Sequence, residues 1–349
     1  MQKKWSYFSL VLLACVLIIA ACGQQDGAKQ GDSSNSGAKN ESKGGDKAKD
    51  GDQKKVTIGI NQLVEHPSLD AAREGFLQAF ADNGYKEGEN VTFDIQNAQG
   101  EQATATSIAS KFASKVDLVL AIATPSAQAT AQALTDIPVL FTAVTEPAEA
   151  GLVDSWEAPG SNVTGTSDLN PVKEQLGLVP EVAPKAKTVG IVYNSGEINS
   201  EAQVKIAKEA AEELGLKLEL KTVTNKNEVL QAAQSLVGKV DALYVPTDNA
   251  VVDALESMIQ IAEKEKLPLI VGEGDSVKRG GLATWGIDYE KLGYQTGEMA
   301  LKILKGEDPA KMPVETLEAI ELKINKGAAE RMGVKLPEEL LKKADQVFD

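Results

Sequence analysis

Cysteine and histidine are almost missing from this chain, which holds two of the first and one of the second in 349 residues. One cysteine, Cys15, sits inside an apolar N-terminal run and the other, Cys22, at its end. No disulfide can therefore form beyond residue 22, and no Cys/His cluster exists to hold zinc. The usual nucleophilic arrangements are short of parts too. His66 is the sole histidine, no thiol follows Cys22 and there is no G-x-S-x-G turn. The chain has no H-E-x-x-H and no D-x-D-x-D-G run, and "GEGDSV" lacks the third glycine and the lysine of a phosphate loop. No metal or cofactor is expected. Positive charge is in deficit, with 36 Lys and Arg against 51 Asp and Glu and a net charge of −15, which disfavours nucleic acid as a partner. Aromatics make up 5% and are scattered, so no stacking stripe is read. Long apolar runs are confined to "FSLVLLACVLIIAA" behind Lys3 and Lys4. That run is too short to span a bilayer comfortably and has the layout of a secretory signal.

Immediately before Cys22 stand Ile19, Ala20 and Ala21, a branched aliphatic followed by two small residues. The arrangement resembles a bacterial lipobox, which implies that residues 1–21 are removed as a signal peptide and that the Cys22 sulfur is acylated. Residues 23–55 are rich in Gly, Ser, Asp, Asn, Gln and Lys, with no aromatic or branched apolar residue before Val56. They cannot bury enough surface to fold, so residues 22–55 are read as a lipidated cysteine and a flexible tether. The processed chain would carry −17, the full charge less two lysines. An exported protein without disulfides must be held by its core, and about 290 residues suffice for two lobes.

After Val56, short apolar runs alternate with stretches of helical period. "VTIGINQL", "VTFDIQNA", "DLVLAIAT" and "IPVLFTAV" read as strands; "PSLDAAREGFLQAFADNG", "EQATATSIASKFASK" and "PSAQATAQALTD" read as helices. Such alternation predicts a parallel sheet covered on both faces. The order then repeats: "TVGIVYNSG" matches the first strand, "KLELKTVT" the second, "GKVDALYVPTDNAVVDALESM" answers "SKVDLVLAIATPSAQATAQAL", and "LPLIVGEGDS" answers "IPVLFTAVTEP". The predicted fold class is α/β, two similar open parallel-sheet lobes with a ligand cleft between them.

Ligands bind outside the carboxyl ends of such strands, where helix N-termini present free N–H groups. The polar residues at those ends are Asn61, Gln62, Glu65, His66, Thr124, Ser126, Thr145 and Glu146 in the first half. Asn194 and Ser195, Thr247, Asp248 and Asn249, and Glu273 and Asp275 are their counterparts in the second. If the lobes face one another, the two sets converge on one cleft. Trp156 and Trp285 read better as lobe core than as pocket edge.

The phrases "EHPSLDAAREGF", "ATPSAQA", "FTAVTEPAEAGLV", "NVTGTSD", "VPTDNAVV" and "GIDYEKLGYQTGEMALKIL", together with the lipobox and the repeat, resemble the substrate-binding lipoproteins of ABC transporters in the tryptophan and tyrosine uptake group. The resemblance covers residues 56–349. It implies a type I periplasmic-binding-protein fold with three crossings between lobes. Lobe 1 would span 56–166 plus about 289–308, lobe 2 167–288 plus about 309–349, with hinges near 165–172, 284–290 and 306–313. The function implied is capture of a small ligand, commonly an aromatic amino acid, and its delivery to an ABC permease. The protein would be a non-enzymatic monomer, held at the outer face of the cytoplasmic membrane by its lipid alone. A sensor of the same fold, or a binder of sugars or branched-chain amino acids, shares these features; a carboxylate-based hydrolase is a more distant alternative. An amino-acid carboxylate would suit the "ATPSAQ" turn, with Thr124 as cap and Ser126 beside it. The ammonium would suit Asp248 foremost, with Asn249, Glu273 and Asp168 as further acceptors.

Overall fold

The computed structural model describes residues 55–349. The signal segment, Cys22 and nearly all of the tether lie outside the described residues. The first sheet is built from β1 (Val56–Gln62), β2 (Val91–Asn97), β3 (Leu118–Ile122), β4 (Val139–Thr142) and β5 (Val163–Ser167), with α1 (Pro67–Asp82), α2 (Gln102–Phe112) and α3 (Thr124–Ala133) between them. The chain then crosses into α4 (Val172–Val182), β6 (Thr188–Asn194), α5 (Ile198–Leu214), β7 (Lys217–Val223), α6 (Val229–Leu236), β8 (Ala242–Val245), α7 (Asn249–Asp253), α8 (Leu255–Glu265), β9 (Leu269–Val271), α9 (Gly274–Arg279) and β10 (Ala283–Gly286). It returns to the first lobe as α10 (Tyr289–Leu304) and β11 (Glu315–Thr316), and ends in the second as β12 (Glu321–Asn325), α11 (Lys326–Met332), α12 (Glu338–Lys343) and β13 (Gln346–Phe348).

The sheets run β11-β5-β4-β3-β1-β2 and β13-β12-β10-β9-β8-β6-β7. Five strands of each follow the same spatial order, 2-1-3-4-5 matching 7-6-8-9-10, and all pair in parallel. The runs predicted as inner strands are covered on both faces, β2 and β7 form half-exposed edges, and each lobe has its own apolar core. Ile58, Phe76, Leu120 and Phe141 anchor the first, and Leu176, Ile191, Tyr244 and Ile270 the second.

One strand was not read from the sequence, and one boundary differs from expectation. The polar run "VTGTS" is a fully buried strand next to the sheet edge, and its hydroxyls find partners. Thr164 donates to the Met312 carbonyl (2.7 Å), Thr166 pairs with Thr142 (3.0 Å) and Thr296 (2.7 Å), and Ser167 donates to the Thr145 carbonyl (2.8 Å). The third crossing was expected near 306–313, with lobe 2 resuming at 309. Instead β11 pairs with β5, and Met312, Val314 and Leu317 pack on the first core, which moves the crossing to residues 318–320. A two-residue strand carries too little pattern to be seen in a sequence.

The return segment is locked by close packing of α1 on α10. A Cβ on Gly293 would lie 1.8 Å from the Ala72 carbonyl oxygen, and one on Gly75 1.9 Å from that of Glu290. Only glycine permits this backbone approach. Gly293→Ala should therefore destabilise the protein by about 2 kcal/mol or more through overpacking. Gly177→Ala, in a helix with nothing near the added carbon, should be neutral or stabilise by about 0.5–1 kcal/mol. Urea denaturation of the two variants checks the contrast.

Candidate functional site

The carboxyl end of β1 organises its own lobe. Asn61 is buried and donates through Nδ2 to the Ala105 carbonyl and to Thr130 Oγ1 (both 3.0 Å), while Ser126 donates to the Asn61 carbonyl (2.6 Å). Gln62 accepts from Arg73 (2.6 Å) and donates to the Val64 carbonyl and Asp70 (both 2.8 Å), shaping the loop into α1. Thr124 does not cap α3. The cap position falls on Ala123, whose φ of +78° starts the helix directly, and the Thr124 hydroxyl is buried without a partner. Glu65 is exposed. Glu146 accepts from Trp156 Nε1 (3.3 Å), and Trp156 packs on the first core as Trp285 packs on the second. Desolvation pushes the Glu146 carboxyl above its ordinary range.

The remaining expected residues meet between the lobes. His66, Leu69, Ala143, Thr145 and Tyr289 of the first lobe, with Asp168 of the first crossing, face Asn199, Thr247, Asp248, Asn249, Val252 and Glu273 of the second. The gap is nearly shut, with a cavity volume of about 20 Å³, room for roughly one water. Asn194 lies beside it, in an adjoining pocket that shares Asn249.

Four buried carboxylates dominate this junction, each pushed up chiefly by desolvation. Asp168 accepts from Thr145 Oγ1 (3.0 Å) and from the Tyr289 hydroxyl (2.7 Å). Glu273 caps α9 through the Asp275 (2.6 Å) and Ser276 (2.9 Å) backbone N–H groups, and accepts from the Ser276 hydroxyl. It also accepts across the cleft from Ser68 of α1 (2.6 Å), a bond that ties lobe to lobe. Asp248 caps α7 through Val251 N–H (2.9 Å) and accepts from Asn194 N–H and the Ser200 hydroxyl (both 2.6 Å). The Ala250 backbone also bonds to it. A carboxylate offers about four lone-pair sites, so Asp248 is saturated by its own lobe and has none left for the ammonium expected there. Glu197 accepts amide N–H from Asn194 (3.1 Å), Asn199 (3.2 Å) and Asn249 (2.6 Å). Burial, reinforced by the charge of Asp248, pushes it up to about 7. His66 runs the other way: burial, and then the charge of Arg279, lower it to about 4, which keeps the imidazole neutral near pH 7.

Leu69, Ala143, Asn199, Val252 and Tyr289 escaped the sequence reading. For Asn199 a signal was present, since it is the second residue of α5 as Ser68 is of α1. Carrying the repeat one turn into each helix would have found both.

A cleft between two α/β lobes, floored by strand ends and lined by buried polar groups from both sides, defines a two-lobed binding protein. The chain belongs to the ABC transporter substrate binding protein family, whose profile matches residues 57–348. It is 45% identical over 328 residues to a tyrosine-binding protein of Clostridioides difficile (strain R20291), covering 93% of this chain and 91% of that one. A structure of the ABC domain in complex with L-Trp from Streptococcus pneumonia shares 38% identity over 84% of this chain and all of that one, at a TM-score of 0.81. A ligand-free, open structure of a substrate binding protein with adhesive properties from Clostridium difficile is 50% identical over 84% of this chain and 99% of that one, at a TM-score of only 0.65. The pair with the higher identity superimposes worse.

Glu197 yields a pH dependence. Its folded value, about 7, stands above the ordinary 4.5. Its contribution to stability is therefore complete below about pH 4.5 and is lost as pH rises through about 7. In urea denaturation of the unliganded protein at pH 5 and pH 8, wild type should lose more stability than Glu197→Gln, by on the order of 3 kcal/mol. Equal losses would contradict the assignment.

Proposed function

We propose that this protein captures an aromatic amino acid, tyrosine or tryptophan, between its lobes and hands it to the permease of an ABC importer. The observation that carries the reading is the cleft itself. It is nearly shut and lined from both lobes, and the chain is similar in structure to the L-Trp complex at a TM-score of 0.81. Leu69, Ala143 and Val252 supply apolar wall for a ring. Asp168 is the acceptor for the ligand's ammonium: its two side-chain donors and its own backbone N–H leave a lone-pair site free, whereas those of Asp248 and Glu273 are taken. A cation there would also relieve the cost of keeping Asp168 ionised without water.

The N-terminal motif supports the rest of the reading. Cleavage before Cys22 and acylation of its sulfur hold the protein, as a monomer, to the outer face of the cytoplasmic membrane. The tether lets the lobes reach ligand and permease, and the protein acts by binding rather than by catalysis. Titration calorimetry should give saturable binding of L-tyrosine or L-tryptophan. Asp168→Asn should weaken it at least tenfold, or about 1.4 kcal/mol, while leaving unliganded stability equal or higher, because a desolvated charge has been removed. No binding of either amino acid would sink the reading; unchanged affinity in Asp168→Asn would move the ammonium elsewhere.

A further inference from the structure

Two buried polar atoms that border the gap have no hydrogen-bond partner, His66 Nδ1 and Asn199 Oδ1. Their residues are 8% and 3% exposed. Leaving such an atom unpaired ordinarily costs about 1–3 kcal/mol, and two in one cavity are expected where a ligand supplies the partners. Asn199 is fixed by its amide nitrogen, which donates to Glu197 (3.2 Å), to Ser200 (3.3 Å) and to the Thr247 carbonyl (3.3 Å). His66 is held by burial at the start of α1, three residues before the apolar Leu69, and its side chain makes no capping bond.

The surroundings of His66 separate it from the ammonium acceptor. The charges that act on it most are Arg279, Asp70, Asp253 and Asp275, whereas Asp168 is enclosed by Thr145 and Tyr289. The gap residues nearest in chain to these groups are Leu69 and Val252, the apolar wall assigned to the ring, and Glu273, whose lone pairs are already taken. Because the imidazole is neutral near pH 7, it is not a cation for a carboxylate. It is a hydrogen-bonding group at the apolar side of the site, with one nitrogen open.

We propose that His66 selects the ligand by its ring, Nδ1 accepting a hydrogen bond from the phenol O–H of tyrosine or the indole N–H of tryptophan, so that phenylalanine is discriminated against. The inference rests on the aromatic amino-acid reading above. It assigns Nδ1 as the unprotonated nitrogen, with the proton on Nε2. A site built around such an acceptor rejects a ring lacking the donor, because the buried nitrogen is then left unpaired.

Calorimetry with L-tyrosine, L-tryptophan and L-phenylalanine on wild type and His66→Leu tests it. Wild type should bind phenylalanine at least tenfold more weakly than the tighter of the other two. His66→Leu should shrink that ratio to within about threefold, chiefly by losing affinity for the ring bearing a donor. As the sole histidine, His66 also gives an unambiguous imidazole ¹⁵N signal in tag-free protein. Its Nδ1 resonance should move on addition of tyrosine or tryptophan and move less with phenylalanine, a readout that needs no variant. Equal affinities in wild type, a ratio kept in His66→Leu, or an Nδ1 signal indifferent to the ring would overturn the inference while leaving the aromatic reading intact. Binding of none of the three would overturn both.

Discussion

Taking an ionised carboxylate out of water costs several kcal/mol unless donors or a cation replace the lost hydration. This protein does so at Asp168, Glu197, Asp248 and Glu273, all around one junction. Among the described residues, no lysine or arginine figures in the charges that act most on any of the four. Hydrogen bonds carry the load instead, from backbone N–H groups at helix starts, from hydroxyls, and from a ring of asparagine amides. The result is a cleft whose polar geometry is built before any ligand arrives, with Lys278 acting on Glu273 at its rim and no cation among the leading influences on Asp168. On the proposed reading the ligand's ammonium is the missing counter-ion, and the lobes close around it because only the closed form excludes the water that would otherwise screen it.

Closure of that kind needs lobes that are rigid in themselves and joined loosely to each other. Each lobe has a separate core, and the α1–α10 contact fuses the return segment to the first so tightly that it cannot act as a joint. What remains between them is three crossings, a few polar bonds and Ile198 of α5, which packs on the first core. Asn170 links the first two crossings, donating to the Asp168 carbonyl (2.9 Å) and accepting from Ile287 N–H (3.1 Å). The cross-cleft Ser68–Glu273 bond is buried, whereas the Lys205–Glu149 pair (3.2 Å) is exposed and worth little. Asp168 sits on the first crossing while its partner Tyr289 begins α10 just past the second. An occupant that engages Asp168 therefore acts at the joint itself.

Much of this was legible in the sequence because the fold is written twice. Strand runs such as "VTIGINQL" and "TVGIVYNSG" could be matched, and the shared strand order of the two sheets follows from the match. Site residues at strand ends were legible in part. Thr145, Asp168, Asp248, Asn249 and Glu273 do border the gap, yet Thr124, Ser126 and Asn61 serve their own lobe. The difference lies in backbone detail invisible to pattern: Ala123 at φ +78° replaces Thr124 at the cap, and Asp248 spends its lone pairs on Asn194, Ser200, Ala250 and Val251. The third crossing was misplaced because β11 has two residues and no periodicity to read.

The central claim is that ligand completes the charge balance of the cleft and thereby holds the lobes shut. Small-angle scattering of the protein lacking its first 22 residues, with and without saturating L-tyrosine, tests it most directly. The account predicts that the unliganded protein samples an open form and that its radius of gyration falls on ligand addition. An identical scattering profile in both conditions, with calorimetry confirming that ligand is bound, would contradict it.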